Sequence, residues 1–303
     1  MTTPVAILQE SAEEAVHEAA GGAPDLGGAI MHHLVDATEI ELPFGVVRHL
    51  PTGWNVHLGP LGVVDLAPTK HAVLLMLAAL ICVAVFIPLA LAARRRQRGK
   101  APGGFAGAME AMVLYFRDEV VRRNIGHGAD AYTPYILTLF FFILVMNLLG
   151  LVPWGGSATG NLAVTAALAL LTLLLVEISG MKALGAAGYL RTIFYVPPGM
   201  HPAGQALMLV IMTPVEIMGK LAKPFALAVR LFANMTAGHT LVLSLLGIIF
   251  VFANMTLGRW GIAAGSVAMS SAIMVLEVFV AFLQAYIFAM LTAVFVGLIR
   301  HAH

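Results

Sequence analysis

The chain has 303 residues, of which 60% are hydrophobic and 11% charged. A soluble domain carries about 25% charged residues, so a water-soluble enzyme with a large core is excluded and a polytopic membrane protein is indicated. A net charge of +1 and a single cysteine, Cys82, exclude broad electrostatic binding of nucleic acid, a disulfide framework and a thiolate metal site.

Met1 to Glu14 lack a basic stretch followed by an uninterrupted apolar run, so no cleaved signal peptide is expected. Residues 1–69 hold nine acidic residues against one arginine, Arg48. Gln9 to Ala20 fits a short helix, and Gly21 to Gly28 is a Gly/Pro-rich break. Thr38–Leu42 and Trp54–Leu58 alternate polar and apolar residues and suggest a small hairpin. His32 and His33 are adjacent and so do not share a helix face; a solvated loop is favoured over a metal site. The composition changes at residue 70, dividing the chain into an N-terminal segment, 1–69, and a membrane domain, 70–303.

Residues 71–93 form the first expected span, long enough to cross about 30 Å of hydrocarbon. The basic cluster Arg94-Arg95-Arg96-Gln97-Arg98-Gly99-Lys100 follows it. By the positive-inside rule this cluster stays cytoplasmic and the acidic N-terminus lies outside. In residues 104–125, Phe105, Met109, Met112, Phe116 and Val120 recur at helical spacing opposite Glu110, Arg117, Asp118, Arg122 and Arg123. That pattern predicts an amphipathic helix on the membrane surface; packing against a partner stays open.

Residues 133–152 and 161–180 are two further spans, joined around Pro153-Trp154-Gly155-Gly156. Asn147, Thr165 and Glu177 interrupt them. Glu177 fits either a channel or a surface position, the surface being favoured. The segment 181–204 returns to the cytoplasm with Lys182, Arg191 and Pro197-Pro198. The fifth element, about Gln205 to Phe252, is roughly 70 Å long as a helix, more than a bilayer needs. It must be tilted, curved or partly interfacial. The sixth, about Ile262 to Leu298, is also overlong. Five crossings put the C-terminus inside.

Arg230 sits deep in the fifth apolar element, where a charge costs roughly 3 kcal/mol on insertion scales and marks a functional site by default. His239 is nine residues further on, about 13.5 Å along the axis, and about 100° per residue puts it on the opposite side. Asn234, four residues on, stays near the Arg230 face. Glu277 and Gln284 are seven apart on the antiparallel sixth helix. If Arg230 is level with Gln284, His239 is roughly level with Glu277. Histidine and glutamate bind and release protons at accessible pH. Arginine does not; a permanent cation at Arg230 would repel protons, attract a carboxylate and make a barrier between two aqueous routes rather than a relay. Glu216 lies fourteen residues before Arg230, about 21 Å towards the cytoplasm. Gly219, Ala222 and Ala226 between them leave room for water but supply no relay. Lys220 and Lys223 read as interface anchors.

Arg230-Leu231-Phe232-Ala233-Asn234-Met235 with Ala237-Gly238, and Leu283-Gln284-Ala285-Tyr286-Ile287-Phe288, resemble the fifth- and sixth-helix motifs of subunit a of the rotary F-type ATP synthase. The resemblance spans roughly residues 70–300 and implies an all-α membrane protein of five transmembrane helices plus one surface helix. The last two helices would be tilted against a rotor ring. It implies a c-subunit ring and peripheral-stalk b subunits as partners, the bacterial inner membrane as location, and no bond chemistry or cofactor in this chain. Protons would load ring carboxylates through one half-channel and leave through another, with Arg230 separating the two and Gln284 beside it. Asn234 would lie at the ring interface or channel wall, and Asn147 on the outer route. Glu216 would stand at the inner mouth. Many bacterial relatives have glutamate at the His239 position and histidine at the Glu277 position; this exchange implies that the two side chains pair. Gly150 replaces an acid of some relatives.

Two other classes fit the composition less well. A haem-bearing anchor lacks Cys-x-x-Cys-His, and only His239 lies well inside a span. An autonomous channel or secondary transporter would be expected to show internal repeats, and none is obvious.

Overall fold

In the computed structural model, the described residues are 67–95, 103–152, 157–194, 199, 201–252 and 258–301, with four short strands and a few positions before them. The expectations for residues 9–20, His32, His33, residues 96–100, Pro153–Gly156 and Pro197-Pro198 lie outside the described residues. The strands form two hairpins rather than one. β1 (Glu39–Leu42) pairs antiparallel with β2 (Val46–His49), and β3 (Asn55–His57) with β4 (Val63–Asp65). Each expected strand thus pairs with its nearest neighbour in sequence, which closes the shorter loop.

Among the described residues, six helices of twelve or more residues follow: α1 (Lys70–Arg95), α2 (Gly104–Tyr115), α3 (Thr133–Gly150), α4 (Leu162–Ile193), α5 (Pro202–Val251) and α6 (Arg259–Arg300). All but α2 are long and apolar enough to cross a membrane. The chain is an all-α polytopic membrane protein. The overlong fifth and sixth elements hold as unbroken helices of 50 and 42 residues. Pro214 and Pro224 lie inside α5, and each removes one rung of its hydrogen-bond ladder. Asn161 starts α4 by accepting the Ala163 N–H at 2.8 Å, a cap worth about 1 kcal/mol. α4 runs past the expected span to Ile193 and breaks direction at Gly185, whose φ of 72° suits a residue without Cβ.

By contact, the chain divides into two compact units. The larger contains Asp36–Ala237 and Leu276–His303, and α3 is its centre. One buried apolar cluster joins residues of α3 with Leu74 and Ala78 of α1, Leu168 and Ala169 of α4, Leu227 and Leu231 of α5, and Phe288 and Val296 of α6. Lipid offers apolar surface as good as leucine, so close packing rather than water exclusion holds such helices together. α6 meets that demand with Ala281, Ala285, Ala289, Ala293 and Gly297, a small residue every fourth position on its buried face. The smaller unit contains Gly238–Val275, in which Ser266 and Ser270 are buried.

α2 continues through a π-helical stretch, Phe116–Arg122, and a last turn, Arg123–Ile125. On the expected polar side Asp118, Arg122 and Arg123 are exposed, while Glu110 and Arg117 are half-buried. Its apolar side is taken up by protein in the second half. Phe116 is buried with its ring 4.2 Å from Phe140 and 5.7 Å from Tyr286. Arg122 bonds both Asp118 and Asp130, tying the π turn to the loop before α3. A hydrogen bond from Arg117 holds Asp118 below the usual carboxylate range, and one from Arg122 does the same for Asp130. The end of α6 closes over this region. Gly297 lies directly on the Asn124 carbonyl, and the Arg300 guanidinium stands 5.4 Å from the Tyr132 ring centre.

Candidate functional site

Within the larger unit, α5 and α6 bring together Asn234 and Gln284. Asn234 Nδ2 donates to Gln284 Oε1 at 2.8 Å. Gln284 is buried, whereas Asn234 is exposed on its helix. Arg230, one turn before Asn234 on the same face, is half-buried. Among the described residues Arg230 enters no hydrogen bond or ion pair. Leu231, its neighbour in sequence, is fully buried, so the helix points Leu231 inward and leaves the arginine at the edge. The direct partner of Gln284 is therefore Asn234, one turn away from the expected level. Glu277 is half-buried and forms no ion pair with Arg230 among the described residues. His239 belongs to the smaller unit, where it is half-buried.

Asn147 is fully buried in α3. It accepts from Thr159 Oγ1 at 2.9 Å and donates to the Ala281 carbonyl of α6 at 3.4 Å. Thr159 in turn shares a 2.8 Å hydrogen bond with Ser157. This short polar chain reaches α6 because Ala281 has no bulk to hold α3 away. Gly150 ends the same helix in a tight place. A Cβ there would stand 2.8 Å from both Met235 Cε and Ser157 Cβ. Any side chain at this position would have to displace Met235 and Ser157.

A second polar cluster lies between α4, α5 and the end of α6. A cavity of about 150 Å³, room for several waters, is lined on its polar side by Thr172, Glu177, Thr192, Glu216, Lys220 and Lys223. Lys220 Nζ stands 3.6 Å from Glu177 Oε2 and donates to Tyr189 Oη at 2.8 Å. The Lys223 ammonium lies 5.3 Å from the Phe295 ring centre. Pro224 also lines the cavity and has no N–H, so the Lys220 carbonyl loses its usual helical donor. Glu216 is exposed and forms no ion pair among the described residues. A Cβ on Gly219 would meet nothing within 4 Å, which leaves that side of α5 open.

The sequence reading favours Glu177 on a surface and makes Lys220 an interface anchor. The structure instead joins them in one cavity wall. Beyond them Gly185 turns the end of α4 back, so that Tyr189 covers Gly180 and reaches Lys220. No periodicity in the sequence signals that reversal. Among the described residues, no group of three or more histidine, cysteine or acidic side chains could hold a metal ion.

A family model described as ATP synthase A chain matches residues 73–297. The chain belongs to the ATP synthase A chain family. The ATP synthase subunit a of Chloroherpeton thalassium is 45% identical over 269 residues, covering 88% of this chain and 75% of its own. ATP synthase subunit a 2 of Chlorobaculum tepidum is 42% identical, covering 98% of this chain and 80% of its own. The subunit a of Anaeromyxobacter dehalogenans is 40% identical, with 98% and 76% covered. As an ATP synthase A chain, this multi-pass membrane protein serves ATP synthesis and proton transport among other membrane-sector subunits.

Proposed function

We propose that this chain is the proton-conducting stator of the ATP synthase, set against a ring of c subunits and held by peripheral-stalk b subunits. It carries out no bond chemistry itself. It lies in the bacterial inner membrane with residues 1–69 outside and the C-terminus in the cytoplasm. Protons reach ring carboxylates through an outer half-channel in which Asn147, His239 and Glu277 take part. They leave by an inner half-channel whose mouth holds Glu216. Arg230 separates the two routes, with Asn234 and Gln284 beside it.

The observation that carries this reading is the state of Arg230. A guanidinium in an apolar helix, with no counter-charge among the described residues, calls for an anion supplied from outside the chain. A passing carboxylate on a rotor meets that need and is held ionised by it, because a neighbouring cation favours the charged form. The Asn234–Gln284 bond supports the reading too, since it occupies the adjacent amides with each other and leaves the arginine for the passing group. Replacing Arg230 by alanine is expected to abolish ATP synthesis driven by a proton gradient in membrane vesicles. Synthesis at the wild-type rate in Arg230→Ala vesicles would overturn the proposal.

A further inference from the structure

Lys220 has two carboxylates within its reach. Glu216 precedes it by four residues on the same helix, in the favourable order of acid before base. Glu177 approaches from α4. The ammonium goes to Glu177, and Tyr189 fixes it there with its hydroxyl and the face of its ring, 4.2 Å from Nζ to the centre. Both partners are largely buried, with 13% of the Lys220 side chain and 22% of the Glu177 side chain exposed. Lys223 lies against Phe295. The arrangement consumes Glu177, holds both lysines away, and leaves Glu216 as the carboxylate of the cavity without an ion partner among the described residues.

We propose that Glu177 is the fixed counter-ion of Lys220, a positioning residue that keeps this cation off Glu216 so that Glu216 can exchange protons with water in the cavity. The proposal rests on the reading of this cavity as the inner mouth of the proton route. Without the Glu177 charge, Lys220 turns to the acid one turn behind it. Glu216 is then locked in an ion pair whose neighbouring cation favours the charged carboxylate, so it no longer takes up protons from the cavity water. Glu177 itself carries no proton in this scheme, which separates it from a relay residue.

The test is ATP-driven proton pumping by the assembled complex in inverted membrane vesicles, read by quenching of an acridine dye. The amount of this chain in the membrane is measured alongside. Glu177→Gln is expected to lower the initial pumping rate about ten-fold, the effect of removing a unit charge about 12 Å from the proton's path at an effective dielectric of about 20. The double variant Glu177→Gln with Lys220→Gln is expected to return to within about two-fold of wild type, because removing the cation removes the need for its counter-ion. Normal pumping by Glu177→Gln, or an assembled double variant no better than the single one, would overturn the proposal. If Glu177→Gln does not reach the membrane, the exchanged pair Glu177→Lys with Lys220→Glu carries the test. Pumping within about two-fold of wild type supports the proposal, since the pair re-forms with Glu216 still outside it. An assembled but inactive exchange, or failure of both variants to assemble, would make the pair a folding element and overturn it. Arg230→Ala is run in the same vesicles. If it pumps, the motor reading falls. If it is dead while Glu177→Gln is normal, only the counter-ion proposal falls.

Discussion

Asn234 donates to Gln284 one turn beyond Arg230, so a closed pair of neutral amides begins where the arginine's own helix face continues. The neutrality matters for the proposed motor. A carboxylate at position 234 would stand four residues from the guanidinium, the spacing at which acid and base on a helix meet. Asn234→Asp is therefore expected to engage Arg230 internally and cut ATP-driven pumping at least about ten-fold, whereas Asn234→Ser should stay within about three-fold. Pumping at the wild-type rate by Asn234→Asp in the dye-quenching assay would show that Arg230 does not depend on a carboxylate from another chain. The place of Arg230 in an apolar stretch, and Asn234 on its face, can be read from sequence spacing alone. The Glu177–Lys220 pair cannot. Its members lie on different helices, and a glycine with positive φ brings in Tyr189, the third group of the cluster.

The helical spans were readable because length and apolarity alone define them; the first was expected at 71–93 and runs Lys70–Arg95. What composition does not contain is how closely two backbones approach. The small residues of α6, from Ala281 to Gly297, look in sequence like weakly patterned filler. In the structure they are the face that lets α6 touch the Ala281-bonded Asn147 at one level and the Asn124 carbonyl at another. Glycine inside a helix ordinarily costs about 0.5–1 kcal/mol against alanine. At Gly297 the sign is expected to reverse, because a methyl group there would run into the Asn124 backbone carbonyl, which is not a flexible side chain. Gly297→Ala should lower the thermal unfolding midpoint of the detergent-solubilised complex and reduce the amount of chain in membranes. A higher midpoint would mean that α6 is not seated on that turn. The π-helical stretch Phe116–Arg122 was equally hidden, since its sequence continues the same apolar stripe as α2.

At the scale of the whole molecule, burial is uneven. α3 is enclosed by its neighbours, while α5 and α6 carry long exposed apolar faces that include Val215, Met218, Phe225, Phe279 and Phe282. Lipid covers such a face as well as protein does, so apolarity by itself does not name the neighbour. The proposed function does, through Arg230. In a Cys82→Ser background, Ala233→Cys carrying a photoactivatable maleimide is expected to form adducts with a small ring proteolipid in native membranes. Ala233 is exposed next to Asn234, whereas a probe at buried Leu231 would be silent. Adducts with lipid alone along this face would place the arginine away from any rotor.

Gly150 carries a consequence for how this chain can change. Met235 and Ser157 stand where its side chain would begin. No single exchange can introduce an acid there without displacing them, and Ser157 is joined through Thr159 to Asn147. Positions 147, 150, 157 and 235 therefore form one unit of variation. A carboxylate at 150 is thus expected to come with changes at the other sites, and each intermediate must still close the contact between α3 and α6.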